Sequence, residues 1–423
     1  MSSPVETAAE TNEPSSGGRE GNWREVLRAF LILGVTSFGG PVAHIGYFRE
    51  AFVVRRRWLS ERAYADLVAL CQFLPGPASS QIGVAIGLAR AGMKGACAAW
   101  AAFTLPSALL MVLFAYGTGW IGAAAGTGWL RGVKGVAVAV VAQAVLTMAR
   151  SLCPDRTRAA FAIAAAALTL LLPGWGAQIG AIAAAGVLGL VLLLQGKGIG
   201  AGEVESDGGF QLAGSLRARQ AAGALIAFFG LLAFLPALAA AAGGSQTLSV
   251  LAGFYRAGAL VFGGGHVVLP LLDAVVVAPG WISSDAFLAG YGAAQAVPGP
   301  LFSFAAYLGA LLAPGAWGLA AAALCLGALY LPALLVLFGT LPFWQRLRQR
   351  RQAQAALAGI NAAVVGLLLA ALYDPVWVAG VHNRADAALV FACFLLLEGW
   401  RLPSWAVVGV GALAGTGLAM AGF

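Results

Sequence analysis

Sixty consecutive residues, Ala286 to Gln345, contain no Asp, Glu, Lys or Arg. Runs of the same kind cover Gly95 to Tyr116, Ala159 to Gln195 and Gln220 to Tyr255. Each helix that crosses the hydrocarbon of a bilayer needs about 20 apolar residues, so runs of this length predict an all-α polytopic membrane protein with roughly nine full spans. Composition agrees, at 60% apolar and 10% charged residues, where soluble domains carry about 25% charged. The alternating segments of about ten residues that mark a membrane β-barrel are absent.

The chain also repeats itself. Phe38-Gly39-Gly40-Pro41 returns as Phe262-Gly263-Gly264-Gly265, and Trp58-Leu59-Ser60 as Trp281-Ile282-Ser283. Gln72 and Gln295 each precede a Pro-Gly-Pro, Pro75-Gly76-Pro77 and Pro298-Gly299-Pro300. Gly92 and Gly315 follow, then Leu105-Pro106 and Leu331-Pro332 inside long apolar segments. Ordered markers at near-constant spacing signal a duplicated unit. The organisation expected is a disordered tail over 1–22, one unit over 23–195, a polar linker with one linking membrane helix over 196–247, and a second unit over 248–423. The tail lacks the basic-then-apolar order of a signal peptide.

Loop charges orient the units. Arg49, Arg55, Arg56, Arg57 and Arg62 follow the first FGGP, whereas His266 to Asp285 has no Lys or Arg. After the Leu-Pro helix the asymmetry reverses, with Arg346, Arg348, Arg350 and Arg351 in the second unit. Short basic loops stay cytoplasmic, so the two units are expected in opposite orientations with the N-terminus cytoplasmic. This is the inverted-repeat plan of many secondary transporters. The net charge of +8 therefore reads as topology, not as a nucleic-acid surface.

Basic residues flank both the Gly-Gly-Pro and the first Pro-Gly-Pro segment, which makes each a re-entrant hairpin with the break at its tip. Counterparts in the second unit would enter from the other face, giving four hairpins beside the full spans. A single Gly-Gly-Pro reads as a packing kink; duplicated breaks at matched spacing read as a site. Irregular backbone at membrane depth is tolerated where it lines a cavity, and each break frees the first-turn N–H groups of a half-helix. Converging half-helix ends form an anion site without buried cations. Ser79, Ser80 and Gln81 follow the first tip and Ser303 the second, so the site is expected to be unequal. His44 and His266 flank the glycine breaks, His44 aligning with Val268; two roles fit each, proton or anion binding and plain packing. Arg256 is the candidate fixed cation, with a water-exposed helix end as its alternative.

No phosphate loop, metal cluster or Ser-His-acid set is present, so neither an ATPase nor an enzyme is indicated and no cofactor is expected.

The strings "FGGPVAHIGYFRE", "QFLPGPASSQ", "VFGGGHVVLP" and "WISSDAFLAGYGAAQAVPGPLFSFAAYLGA" resemble the chromate ion transporter family, in its long two-domain form. The resemblance implies export of chromate, a tetrahedral dianion like sulfate, through the bacterial cytoplasmic (inner) membrane, with chromate resistance as the outcome. It places the family's motif positions at Phe38, Gly39, Gly40, Pro41, His44, Gln72, Pro75, Gly76, Pro77 and Gln81. Their counterparts are Gly263, Gly264, Gly265, Gln295, Pro298, Gly299 and Pro300, with His266 beside the second glycine break but not equivalent to His44. Sulfate or another oxyanion, a passive anion channel, a non-transporting scaffold and a homodimer stay open at this point. Energetics permit export without ATP, since a dianion leaving an interior-negative cell gains about 4.6 kcal/mol per 100 mV.

Overall fold

In the computed structural model, the described residues are 22–125, 128–172, 174–193, 218–313, 315, 317–344 and 350–422. The expected N-terminal tail up to residue 21, most of the polar linker, and Arg346 and Arg348 lie outside them. Every regular element among the described residues is helical.

The first unit runs α1 (Trp23–Thr36), α2 (Gly40–Arg49), α3 (Glu61–Phe73), α4 (Ala78–Ala125), α5 (Gly128–Leu152), α6 (Arg156–Leu171) and α7 (Trp175–Leu188). After α8 (Ala218–Ala241), a similar series follows: α9 (Gln246–Leu260), α10 (Val268–Val276), α11 (Ser284–Ala294), α12 (Phe304–Leu312), α13 (Trp317–Thr340), α14 (Arg351–Ala371), α15 (Arg384–Phe394) and α16 (Ser404–Met420). Among the described residues, six helical segments are long and apolar enough to cross a membrane, with Gly265–Val276, Leu301–Leu312 and Ser404–Met420 as shorter apolar companions. The chain is a polytopic membrane protein. Fewer uninterrupted helices of spanning length occur than the roughly nine expected, because much of the apolar sequence is cut into half-length pieces.

The duplicated markers are the cutting points. Ser60 caps α3 by accepting the Ala63 N–H at 3.2 Å, and Ser283 caps α11 through the Ala286 N–H at the same distance. That explains the paired Trp-x-Ser, since a serine before a helix satisfies one orphan donor. At Gly92 the backbone leaves the helical region (φ 60°, ψ −154°). A straight α4 would separate Gly87 and Gly95 by about 12 Å. Instead the two glycines touch, and a Cβ on Gly87 would also meet the Ala99 Cβ at 2.9 Å. So α4 is two arms folded back on each other, Ala78–Arg90 and the long arm from Met93. Gly315 makes the matching turn between α12 and α13, whose Gly309 and Ala322 are in contact.

The units exchange helices. From the first unit, α5 packs against α15 and α16; from the second, α14 packs against α6 and α7. Glycines make both seams close enough: Gly132 touches the Gly411 carbonyl and Gly359 the Ala185 carbonyl, as small residues do in helix pairs without a hydrophobic driving force. Polar clamps hold α5 at both ends, through Arg131 with Asp386, Lys134 with Asp285 (2.7 Å) and Arg150 with Glu398 (2.8 Å). Linking helix α8 packs on α9 and α13 and presents Ile226, Phe229 and Phe234 outward, a face suited to lipid. Cys71, Cys325 and Cys393 are buried within the helices, and Cys97 is exposed.

Candidate functional site

Two backbone hydrogen bonds cross between the units. The Gly76 N–H, at the first Pro-Gly-Pro tip, donates to the Val261 carbonyl at 2.7 Å. The Gly299 N–H, at the second, donates to the Ser37 carbonyl at 2.9 Å. Val261 and Ser37 are equivalent, each the last residue before a Phe-Gly-Gly, so each tip is pinned to the other unit's break. Each tip also lands on the other unit's Leu-Pro helix. A Cβ on Gly76 would lie 2.5 Å from the Ala333 Cβ, and one on Gly299 2.9 Å from the Ser107 Oγ. Ala333 and Ser107 directly follow Pro332 and Pro106. With φ of 121° and 96°, neither tip position suits any residue but glycine. The glycine breaks meet as well, since a Cβ on Gly265 would sit 3.4 Å from Pro41 Cγ and 3.8 Å from Leu301.

Around these crossings lies a set of buried polar side chains: Ser37, His44, Ser79, Ser80, Gln81, Thr104, Ser107 and Ser303. The Gln81 amide donates to the Pro75 carbonyl at 2.9 Å and the Ala333 carbonyl at 3.0 Å, tying the first tip to α13. The Ser80 and Tyr330 hydroxyls are 3.3 Å apart. His44 donates from Nε2 to the Ser37 carbonyl at 3.2 Å, reaching across the break to the oxygen that also receives the Gly299 N–H. The Ser107 hydroxyl donates to the Thr104 carbonyl at 2.9 Å. Four atoms of this neighbourhood are buried without a hydrogen-bond partner among the described residues: Ser37 Oγ, His44 Nδ1, Gln81 Oε1 and Trp100 Nε1. Buried polar atoms are normally paired, because an orphan costs about 1–3 kcal/mol, so this concentration makes the neighbourhood the candidate site.

The remaining candidates fall unevenly. Pro75, Gly76 and Pro77 are buried, whereas Pro298 and Gly299 are half-buried and Gly39 and Gly263 exposed. His266 hydrogen-bonds Tyr291 at 2.7 Å. Phe38 packs beside Trp405, and Gln72 is exposed. Arg256 is held elsewhere, its guanidinium 4.5 Å above the Trp175 ring at the start of α7. The groups gathered at the tips are hydroxyls, amides, an imidazole and backbone N–H groups. Among the described residues, no three His, Cys, Asp or Glu side chains group as a metal site.

Sequence reasoning missed Ser37, Trp100, Thr104, Ser107, Tyr291 and Tyr330. Ser107 and Tyr330 flank the Leu-Pro markers, a signal that was visible but had no role until the tips were seen to land there.

The model of the chromate transporter family matches residues 24–190 and again 248–416. This chain belongs to the chromate transporter family. Among similar proteins, the chromate transport protein of Pseudomonas aeruginosa is 30% identical over 362 residues, 84% of this chain and 81% of that one. The probable chromate transport protein of Synechococcus elongatus is 26% identical over 407 residues, 93% and 94% of the two chains. The uncharacterized transporter YwrA of Bacillus subtilis is 34% identical over 88 residues, 21% of this chain but 49% of its own length. It is therefore about as long as one unit. These relatives are named as transporters, not enzymes. No solved structure matches the chain.

Proposed function

We propose that this chain is a secondary transporter that carries chromate out of the bacterial cytoplasm across the inner membrane and so confers resistance to it. In this reading residues 23–195 and 248–423 are inverted copies joined through 196–247, the N-terminus is cytoplasmic, and the substrate site lies between the paired tips. The observation that carries it is the reciprocal pair of backbone bonds, Gly76 to Val261 and Gly299 to Ser37. Such a pair is what two equivalent hairpins meeting head-on from opposite faces would make.

A tetrahedral oxyanion needs donors on several sides and little competing negative charge. The first turns of α2, of the short arm of α4, and of the helices after Gly264 and Pro300 leave N–H groups without intrahelical acceptors, at the positive ends of their dipoles. Ser79, Ser80, Thr104 and Ser303 add hydroxyl donors. The first tip is closed over while the second is half-open, which suits a carrier with one approach open at a time. Membrane potential alone supplies the work, at about 2.3 kcal/mol per charge per 100 mV.

Inverted membrane vesicles carrying the protein should accumulate chromate, with unlabelled chromate on the far side accelerating labelled uptake. A channel gives no such counterflow, and a scaffold gives no flux in liposomes. Competition by sulfate in the same assay decides whether the site reads chromate or the wider class of sulfate-like dianions.

A further inference from the structure

We infer that the oxyanion occupies this site together with one proton, which is held on Nδ1 of His44. The inference rests on the reading of the tips as an oxyanion site.

His44 is fully buried, and its one hydrogen-bond partner among the described residues settles its tautomer. A carbonyl oxygen can only accept, so the Nε2 facing Ser37 O at 3.2 Å carries the hydrogen. In the neutral ring Nδ1 is then a bare lone pair, and it is buried without a partner. Gln81 shows the same polarity. Its Nε2 faces two carbonyls, Pro75 and Ala333, which fixes the amide orientation and leaves Oε1 as a buried acceptor with no donor. A fully deprotonated oxyanion has acceptors only. Brought beside a neutral His44, it would set lone pair against lone pair and add to the desolvation cost of both. One proton removes the conflict. Water on the entry side gives H⁺ to the Nδ1 lone pair, the ring becomes imidazolium, and both ring N–H groups then donate, Nε2 to Ser37 and Nδ1 to an anion oxygen. The imidazolium also supplies the positive charge that Arg256, seated on Trp175, does not.

The surroundings leave His44 as the group able to change charge here. From α4 the Phe103 ring packs edge-on to it. From α3, Tyr64 is tied to the Ile45 carbonyl at 2.6 Å, and Cys71 is buried in the core. Further along α2, Arg49 is paired with Glu61 at 2.6 Å. From the second tip the facing group is the Gly299 backbone. Histidine is the side chain whose ordinary titration falls between pH 5 and 8. The second unit has Val268 at the aligned position, and its nearby His266 is already engaged with the Tyr291 hydroxyl at 2.7 Å, so one proton, not two, accompanies each anion.

The test is proton uptake by purified protein in weakly buffered detergent, followed with an indicator dye as chromate is added under alkaline conditions, where free chromate carries no proton. Wild type should take up one proton per chromate bound, and above the imidazole's titration its Kd should rise about tenfold per pH unit. His44→Gln should bind more weakly, without proton uptake and with a flat pH profile. Chromate binding by wild type without proton uptake overturns the inference and leaves the oxyanion site standing. Uptake that persists in His44→Gln also overturns it by moving the proton elsewhere. Absence of chromate binding to folded wild type removes the oxyanion site and this inference with it. The wild-type stoichiometry decides the matter even if His44→Gln fails to fold.

Discussion

The two Pro-Gly-Pro tips make the same backbone bond and sit in different chemistry. Around the first, Ser79, Ser80 and Gln81 are all buried, and Gln81 ties the tip to α13 by two hydrogen bonds. Around the second, Phe302 and Phe304 take the places of Ser79 and Gln81, Ser303 is the polar group that remains, and the tip is half-open. Duplication preserved what the backbone needs, a glycine that can approach another chain, and released the side chains. The conserved geometry therefore belongs to the fold and its two meeting points, while the divergent residues give the site one polar wall and one aromatic wall, the latter from Phe302 and Tyr330.

The largest test of this contrast is steric. Gly76→Leu and Gly299→Leu should each reduce chromate uptake into inverted vesicles by about a hundredfold or more at matched expression, because each drives atoms into the partner unit at a backbone angle that L-residues avoid. The contrast is sharper for alanine. Gly76→Ala meets the fixed Ala333 Cβ at 2.5 Å, whereas Gly299→Ala meets a rotatable Ser107 hydroxyl at 2.9 Å and fixed atoms, the Ser107 Cβ and Phe103 carbonyl, only at 3.1 and 3.2 Å, so Gly299→Ala should keep several-fold more flux. Equal loss in both would show that the openness of the second tip has no mechanical meaning.

Next comes Gln81→Leu, which leaves the buried Pro75 carbonyl without its side-chain donor and cuts the tie to α13. At about 1–3 kcal/mol per orphaned group, a loss of roughly tenfold to a hundredfold in uptake or an equivalent fall in folded yield is expected. Phe304→Leu, its aligned counterpart, should cost less than tenfold. Smaller again is the Ser80 and Tyr330 pair. Ser80→Ala and Tyr330→Phe should each reduce uptake about threefold to tenfold, with the double variant no worse than the stronger single, since both remove one shared contact. Additive losses would mean that the hydroxyls act separately. Smallest is Arg256→Gln, expected to change uptake by less than about threefold because the guanidinium is engaged with Trp175; a loss beyond tenfold would bring Arg256 back into the site.

Much of this was legible in the sequence because the markers are backbone instructions. A serine before a helix, a glycine at a turn and a proline in a long helix each have one local physical meaning, and each appears twice. Gly92 and Gly315 carried their spacing without their role, since a glycine in an apolar run reads equally as a packing contact and as a turn. What stayed hidden is what crosses between units. Ser80 meets Tyr330, and Gln81 meets Ala333, some 250 residues away in each case. No periodicity encodes such a pair, because it depends on how two whole units dock. Arg256 shows the opposite ambiguity. A cation in an apolar helix drew attention to the substrate, but an aromatic face is also a partner for a guanidinium.

The exchange of α5 and α14 bears on how this protein is made. As the first unit leaves the ribosome, α5 shows the Gly128 and Gly132 seam that only α16 can cover, and α6 and α7 wait for α14. Neither half completes itself, so synthesis of the last helix closes the first unit as well as the second. Cut between the units and expressed as two chains, the protein should accumulate when both fragments are present and be degraded when either is alone.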